Sequence, residues 1–292
     1  MKIPINTIGF SSIKEQKDIE TLAEEIVLEE GTPQTTQLSE ELSIMECVKK
    51  VAPYTYVIVR LSVEEIDDDE IVNIEDCDAF IESTITTEVQ DIEIYTEGDF
   101  LYYGICEEKY SKTEIIFYIH NLVDYINKIN KGYSPIGVGV VGIALEGTII
   151  LPTVMTLEDI KNSCEITTFS TAKERFQMGD TFIRRQLSED EFNMEKEIKR
   201  RLLTEDLLTI RNAYFIPLIG IEFSIYAVLG TIIEINVRDN YETAEQMYVF
   251  TLDINEMLLE VVINKNMIVG LPSIGMRFLG TCWLQGTILL QK

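Results

Sequence analysis

The hydrophobic positions of this chain change their spacing several times along its length, and each change predicts a different element. Between residues 13 and 30, Ile19, Leu22, Ala23 and Ile26 fall on one side of a 3.6-residue period, opposite Glu20, Glu24 and Glu25. That pattern predicts an amphipathic helix, stopped by Gly31-Thr32-Pro33. After a polar stretch at 34–41, residues 42–51 read as a second, short helix. Tyr54 to Val59 is β-branched and aromatic, which predicts a strand. Residues 81–97 alternate as a strand or a pair of strands, and 100–106 reads as another after the turn Glu97-Gly98-Asp99.

The strongest helical period covers 112–130, where Ile115, Ile116, Ile119, Leu122, Val123, Ile126 and Ile129 share one face. Ser111 and Glu114 have the spacing of a capping box, and Lys131-Gly132 supplies a basic last turn and a C′ glycine. Residues 136–145 and 148–151 flank Glu146-Gly147 and predict a β-hairpin. From 156 to 214 the pattern is mostly helical, with Glu195–Lys199 and Glu197–Arg201 placed for i,i+4 contacts. Beyond it the period switches to β-rich runs at 227–237, 247–254, 257–263 and 277–290, with a short turn of helix at 264–268. The expected fold class is therefore α+β. An acidic α+β domain would span 1–153, a helical connector 154–212, and a small β-barrel of OB type 213–292.

Composition supports a folded chain: of 292 residues, 46% are hydrophobic and 25% charged, a length that suggests about two domains. Charge adds more. The chain has 24 basic and 50 acidic residues, a net of −26, and residues 1–110 alone hold 7 basic against 27 acidic, a net of −20. Such a surface repels nucleic acid and suits a basic protein partner. The densest run is Glu64 to Glu70, and Asp67, Asp68, Asp69 and Glu70, with Asp76 beyond, are the candidate partner-binding residues. The run lacks the alternation and central glycine of a calcium loop, so it reads as a solvated acidic loop and no metal is assigned. The longest uncharged apolar piece, 223–233, is shorter than the roughly 20 residues of a spanning helix, and the start of the chain has no secretory apolar stretch. A cytoplasmic protein with no membrane partner is expected.

Other motifs are weak. The five cysteines are never closer than 29 positions, which excludes CxxC sites and leaves free thiols. Gly137 to Gly142 spells GxGxxG, but a helix is expected before it and a strand after it, the reverse of a dinucleotide site, so no cofactor is implied. His120 is the sole histidine, which excludes any mechanism needing two imidazoles. Four residues before Asp124 on the expected helix, it would form a surface pair favouring its protonated form. Arg277, Trp283 and Gln285 alternate onto one face of the terminal strand and form a candidate ligand face of the barrel. No catalytic residue is assigned.

Several stretches carry a family resemblance: Ile8-Gly9-Phe10-Ser11, Ile115 to Asn121, Glu146 to Pro152, Thr204-Glu205-Asp206, Ala213 to Pro217, and Gly275 to Gly286. The chain resembles an uncharacterised domain-of-unknown-function family of anaerobic, clostridial Firmicutes over nearly its full length. The resemblance implies a bacterial cytoplasmic setting and no activity, cofactor or site residue. The expected function is a non-catalytic binding or adaptor protein whose acidic surface takes a basic protein partner. The alternative is a hydrolase or transferase that uses carboxylates and a divalent ion in a cleft between domains. Oligomeric state is left open.

Overall fold

The computed structural model describes residues 4–29, 33–66, 69–98, 100–150, 213–218 and 224–292. The expected helical connector at 154–212 lies outside them. The first sheet is an antiparallel meander of β1 (Gln34–Gln37), β2 (Leu42–Ala52), β3 (Thr55–Ile66) and β4 (Asp69–Ile81), in that order. A short 3-10 helix (Pro4–Ile8) and α1 (Gln16–Glu29), the latter near its expected place, precede it. Asp18 in the first turn accepts hydrogen bonds from the Lys14 and Glu15 N–H groups at 3.0 and 3.1 Å, satisfying donors that the helix start leaves open.

Alternation gives this sheet two apolar faces. Cys47, Val57, Val59 and Leu61 pack with Leu22 and Ile26 of α1. On the opposite face Ile44 packs with Leu122 and Val123 of α2 (Leu122–Ile129). Residues 42–51, expected as a helix, are β2 because both of their edges find partners: Thr35 pairs with Met45 on one side and Val59 with Cys47 on the other. Such pairing overrides a weak local preference.

The second sheet has ten strands and brings together residues 89–150 and 214–291. Its members are β5 (Val89–Glu97), β6 (Leu101–Glu108), β7 (Glu114–Ile119), β8 (Ser134–Ile150), β9 (Tyr214–Pro217), β10 (Ile225–Asp239), β11 (Gln246–Ile254), β12 (Met257–Asn264), β13 (Ile268–Val269) and β14 (Arg277–Gln291). β14 pairs antiparallel with β8 from Arg277↔Ile150 to Gln291↔Ser134. Its other edge takes β10 and then, in parallel, β7 at Gln285↔Tyr118. β8 in turn pairs in parallel with β12 and β13. Between β11 and β12 the chain reverses through Asn255 and Glu256, both with left-handed φ (53° and 73°), the geometry of a tight hairpin turn.

The fold class is thus mostly β, with two sheets and two α-helices among the described residues, and not α+β. Among the described residues, 213–292 form no closed barrel. Their strands reach completion only by pairing with β7 and β8, which come from before residue 150. The expected helix at 112–130 is instead strand β7 followed by the eight-residue α2. Ser111 does not cap a helix: its N–H bonds the Glu108 carboxylate and its hydroxyl bonds Thr113 Oγ1 at 2.9 Å, closing the β6–β7 turn. Nor do residues 136–150 form a hairpin. β8 runs straight through Glu146-Gly147, since Gly147 lies opposite Gly280 and a Cβ there would meet the Phe278 ring at 2.4 Å.

Two apolar clusters hold the sheets. One lies between them and includes Val57, Val59, Tyr103, Tyr118, Ile143, Val249 and Trp283. The other is lined by Phe117, Val138, Tyr226, Phe250, Phe278 and Leu284. Phe117 lies between two glycines: Gly104 on β6 and Gly286 on β14 each leave the space its ring occupies, since a Cβ on either would lie 2.2 Å from it.

Candidate functional site

The chemistry of this protein gathers where β3 and β4 meet the second sheet. Arg60 on β3 is 2% exposed, and its Nε and Nη2 donate to Glu46 Oε1 of β2 at 3.1 and 2.9 Å. The register explains the pair, because Glu46 and Arg60 are directly opposite. Arg60 Nη1 donates to the Tyr118 hydroxyl and reaches the Phe100 carbonyl at 3.5 Å. The Tyr118 hydroxyl in turn donates to Asp76 Oδ2 at 3.3 Å, and Asp76 is the register partner of Arg60 across the β3–β4 ladder.

Burial sets the protonation of this network. It pushes the Glu46 carboxyl up, more than Arg60 and the Val123 N–H at the start of α2 pull it down. It also works against the Arg60 charge, but Tyr118, Glu46 and Asp76 outweigh it and hold the guanidinium above its ordinary value. The Tyr118 phenol, pushed up chiefly by burial, stays protonated and available as a donor.

His120 follows β7 and is fully buried. Its ring stacks on Phe80 (5.0 Å between centroids) and meets Tyr118 and Trp283 edge-on at 5.2 and 5.9 Å. Neither ring nitrogen has a hydrogen-bond partner among the described residues. Desolvation first, and the Arg60 charge second, hold its pKa well below the usual value, so the ring is neutral. The expected surface pair with Asp124 does not form: Asp124 bonds Lys128 at 2.9 Å, and the apolar run before His120 is an inserted strand that carries the ring inward.

The terminal strand places its three candidate residues in different surroundings. Trp283 packs between the sheets, 5.5 Å from the Tyr118 ring. Gln285, 1% exposed, donates to the Ala79 carbonyl at 2.6 Å and accepts from the Ile81 N–H at 3.4 Å, so its amide bonds the edge of β4. Arg277 is buried at the other end of the ladder opposite Ile150, six residues and roughly 20 Å of strand away from Trp283. Burial lowers its pKa.

The acidic run, expected as a loop, is the far half of the β3–β4 hairpin: Glu64 pairs with Ile71, Glu65 with Glu70, and Ile66 with Asp69. Asp67 and Asp68 lie outside the described residues, and Asp69 is placed by its backbone in β4. Glu65, Glu70 and Glu75 are exposed, as are Ile71, Val72 and Ile74 beside them, at 44%, 53% and 42%. Glu75 accepts from Ser62 Oγ at 2.6 Å. Asp76 is half-buried and belongs to the Arg60 network, so the run divides between two environments.

Arg60, Glu46, Tyr118 and Phe80 were not singled out by the sequence. The one available signal was a lone arginine in the strand Val57 to Val63, among residues whose alternation places them in a core. Among the described residues no three His, Cys, Asp or Glu side chains are arranged to hold a metal ion, and no helix is long and apolar enough to cross a membrane. Cys47, Cys77, Cys106 and Cys282 are buried.

No curated protein and no solved structure matches the chain. One family does: DUF3881, a domain of unknown function described from an E. rectale gene, matches residues 5–286. The chain belongs to that family.

Proposed function

We propose that this is a non-catalytic cytoplasmic binding or adaptor protein that takes a basic protein partner on the far half of the β3–β4 hairpin. One observation carries the reading. Beyond Asp76, residues 70–75 of β4 are all exposed, and they mix carboxylates (Glu70, Glu75) with apolar side chains (Ile71, Val72, Ile74). Exposed apolar groups rimmed by charge of one sign mark interaction surfaces. The net charge of −26 gives the partner its sign. The rest of the fold is scaffold in this reading, with the buried Arg60 network anchoring the base of the hairpin.

The test is affinity capture from lysate of the source organism on the full chain and on a variant with Glu65→Lys, Glu70→Lys and Glu75→Lys. Recovery of a basic protein that falls with rising salt and is lost with the variant supports the reading. Equal recovery on both chains overturns it.

A further inference from the structure

Among the described residues, β4 is an end strand of the first sheet: its single strand neighbour is β3. End strands present a row of backbone donors and acceptors, and proteins ordinarily blunt them with lysine, proline or extreme shortness. β4 is thirteen residues long and holds no Lys, Arg or Pro. Where it leaves the second sheet it carries only acidic, amide and aliphatic side chains, Glu70-Ile71-Val72-Asn73-Ile74-Glu75. The other end strand of this sheet, β1, has four residues.

The structure shows in one place how this edge is satisfied. The side-chain amide of Gln285 donates to the Ala79 carbonyl and accepts from the Ile81 N–H, the pair of bonds that a neighbouring strand would make. Ala79 and Ile81 therefore turn their peptide groups away from β3. The ladder has a one-residue bulge, with Arg60 opposite Asp76 and Leu61 opposite Ile74, so that Glu75 is the extra residue. Such a bulge shifts the alternation by one. Beyond it, Ile74, Val72 and Glu70 turn their peptide groups outward.

From this geometry we infer that the open edge of β4 at residues 70–74 takes an extended basic segment as an added strand, with alternate apolar residues lying beside Val72 and Ile74. The inference rests on the acidic-surface reading and supplies its binding mode. Charge decides the occupant. A second copy brings another −26 and a like-charged edge, whereas a lysine-bearing strand brings opposite charge beside Glu70 and Glu75.

The experiment uses the full chain and a fluorescent peptide, Lys-Val-Lys-Val-Lys-Val-Lys, followed by anisotropy at low salt. Two further peptides have the same sequence and charge but carry N-methyl groups on one or the other alternate set of amides. Strand addition predicts that one methylated peptide binds at least ten-fold more weakly than the parent. It also predicts that the parent slows amide hydrogen exchange at residues 70–74. Equal binding of all three peptides with no added protection overturns strand addition and leaves the acidic-surface reading standing. Failure of the parent peptide to bind overturns both. Concentration-dependent dimers in sedimentation without peptide, abolished by Glu70→Lys, would assign the edge to a second copy and overturn the basic occupant.

Discussion

The two halves of the β3–β4 hairpin share the same two strands, yet their charges do opposite things. At its base Arg60, Glu46 and Asp76 are covered by β7 and α2, and each charge has a partner within hydrogen-bond reach. At its tip Glu65 and Glu70 are opposite each other across the ladder, like charges in a directly facing pair, with water around them. That pairing weakens a sheet. The difference teaches that cover, not sequence, decides the role of a carboxylate here: the same run holds one acid that stabilises a junction and others that strain their own hairpin.

The largest test of the contrast is Arg60→Met. Removing the guanidinium leaves Glu46 buried without its partner, which costs about 3–5 kcal/mol, to be read from urea unfolding. The double change Arg60→Met with Glu46→Leu should recover most of that loss. If the single change costs under about 1 kcal/mol, the base of the hairpin is no better coupled than its tip. A second variant, Gly286→Ala, forces a methyl into the Phe117 ring and should cost about 1–3 kcal/mol.

Next comes pH. His120 is neutral when folded because its pKa is depressed, but in the unfolded chain it takes up a proton near pH 6.5. Below about pH 6.5 the unfolded state therefore binds the extra proton, and stability falls by up to about 1.4 kcal/mol per pH unit. Above that pH the histidine contributes no slope. Glu46, with its carboxyl pushed up, acts in the opposite sense, since the folded state protonates it first. Comparing unfolding of this chain and its His120→Phe variant between pH 7 and 5.5 isolates the histidine, because the substitution should remove its part of the slope and leave that of Glu46 in place. An unchanged slope would place the titration elsewhere.

The smallest effect belongs to the tip. Glu70→Gln should change stability by under about 0.5 kcal/mol, with the sign set by relief of repulsion with Glu65, while lowering the affinity for the basic peptide. A large loss of stability there would erase the distinction between the two halves.

The sequence was most legible where strands are dense in β-branched residues and closed by tight turns. The runs at 247–254 and 257–263 became β11 and β12 almost residue for residue, and Asn255-Glu256 marked their turn. Helix α1 was equally clear, because three isoleucine or leucine positions made one stripe. Legibility failed where one pattern fits two structures. Ile115 to Ile129 keeps a helical period throughout, yet Ile-Ile-Phe-Tyr-Ile is also a strand, and pairing with β6 and β14 chose that for its first part. Gly147 of β8 was read as a turn because the ring it makes room for, Phe278, is 131 residues away. The buried network was hidden for the same reason, since Arg60 and Tyr118 are 58 positions apart and only the packing of two sheets brings them together.

The β8–β14 ladder has a consequence for how the molecule is made. A ribosome releases residues 134–150 long before it reaches 277–291, and until the later strand emerges β7, β8 and β10 each lack a neighbour they have in the finished sheet. Nascent chains must therefore wait with open edges, and such distant pairing is slow to form. Cutting away residues 277–291 should leave an aggregating product rather than a trimmed but native one.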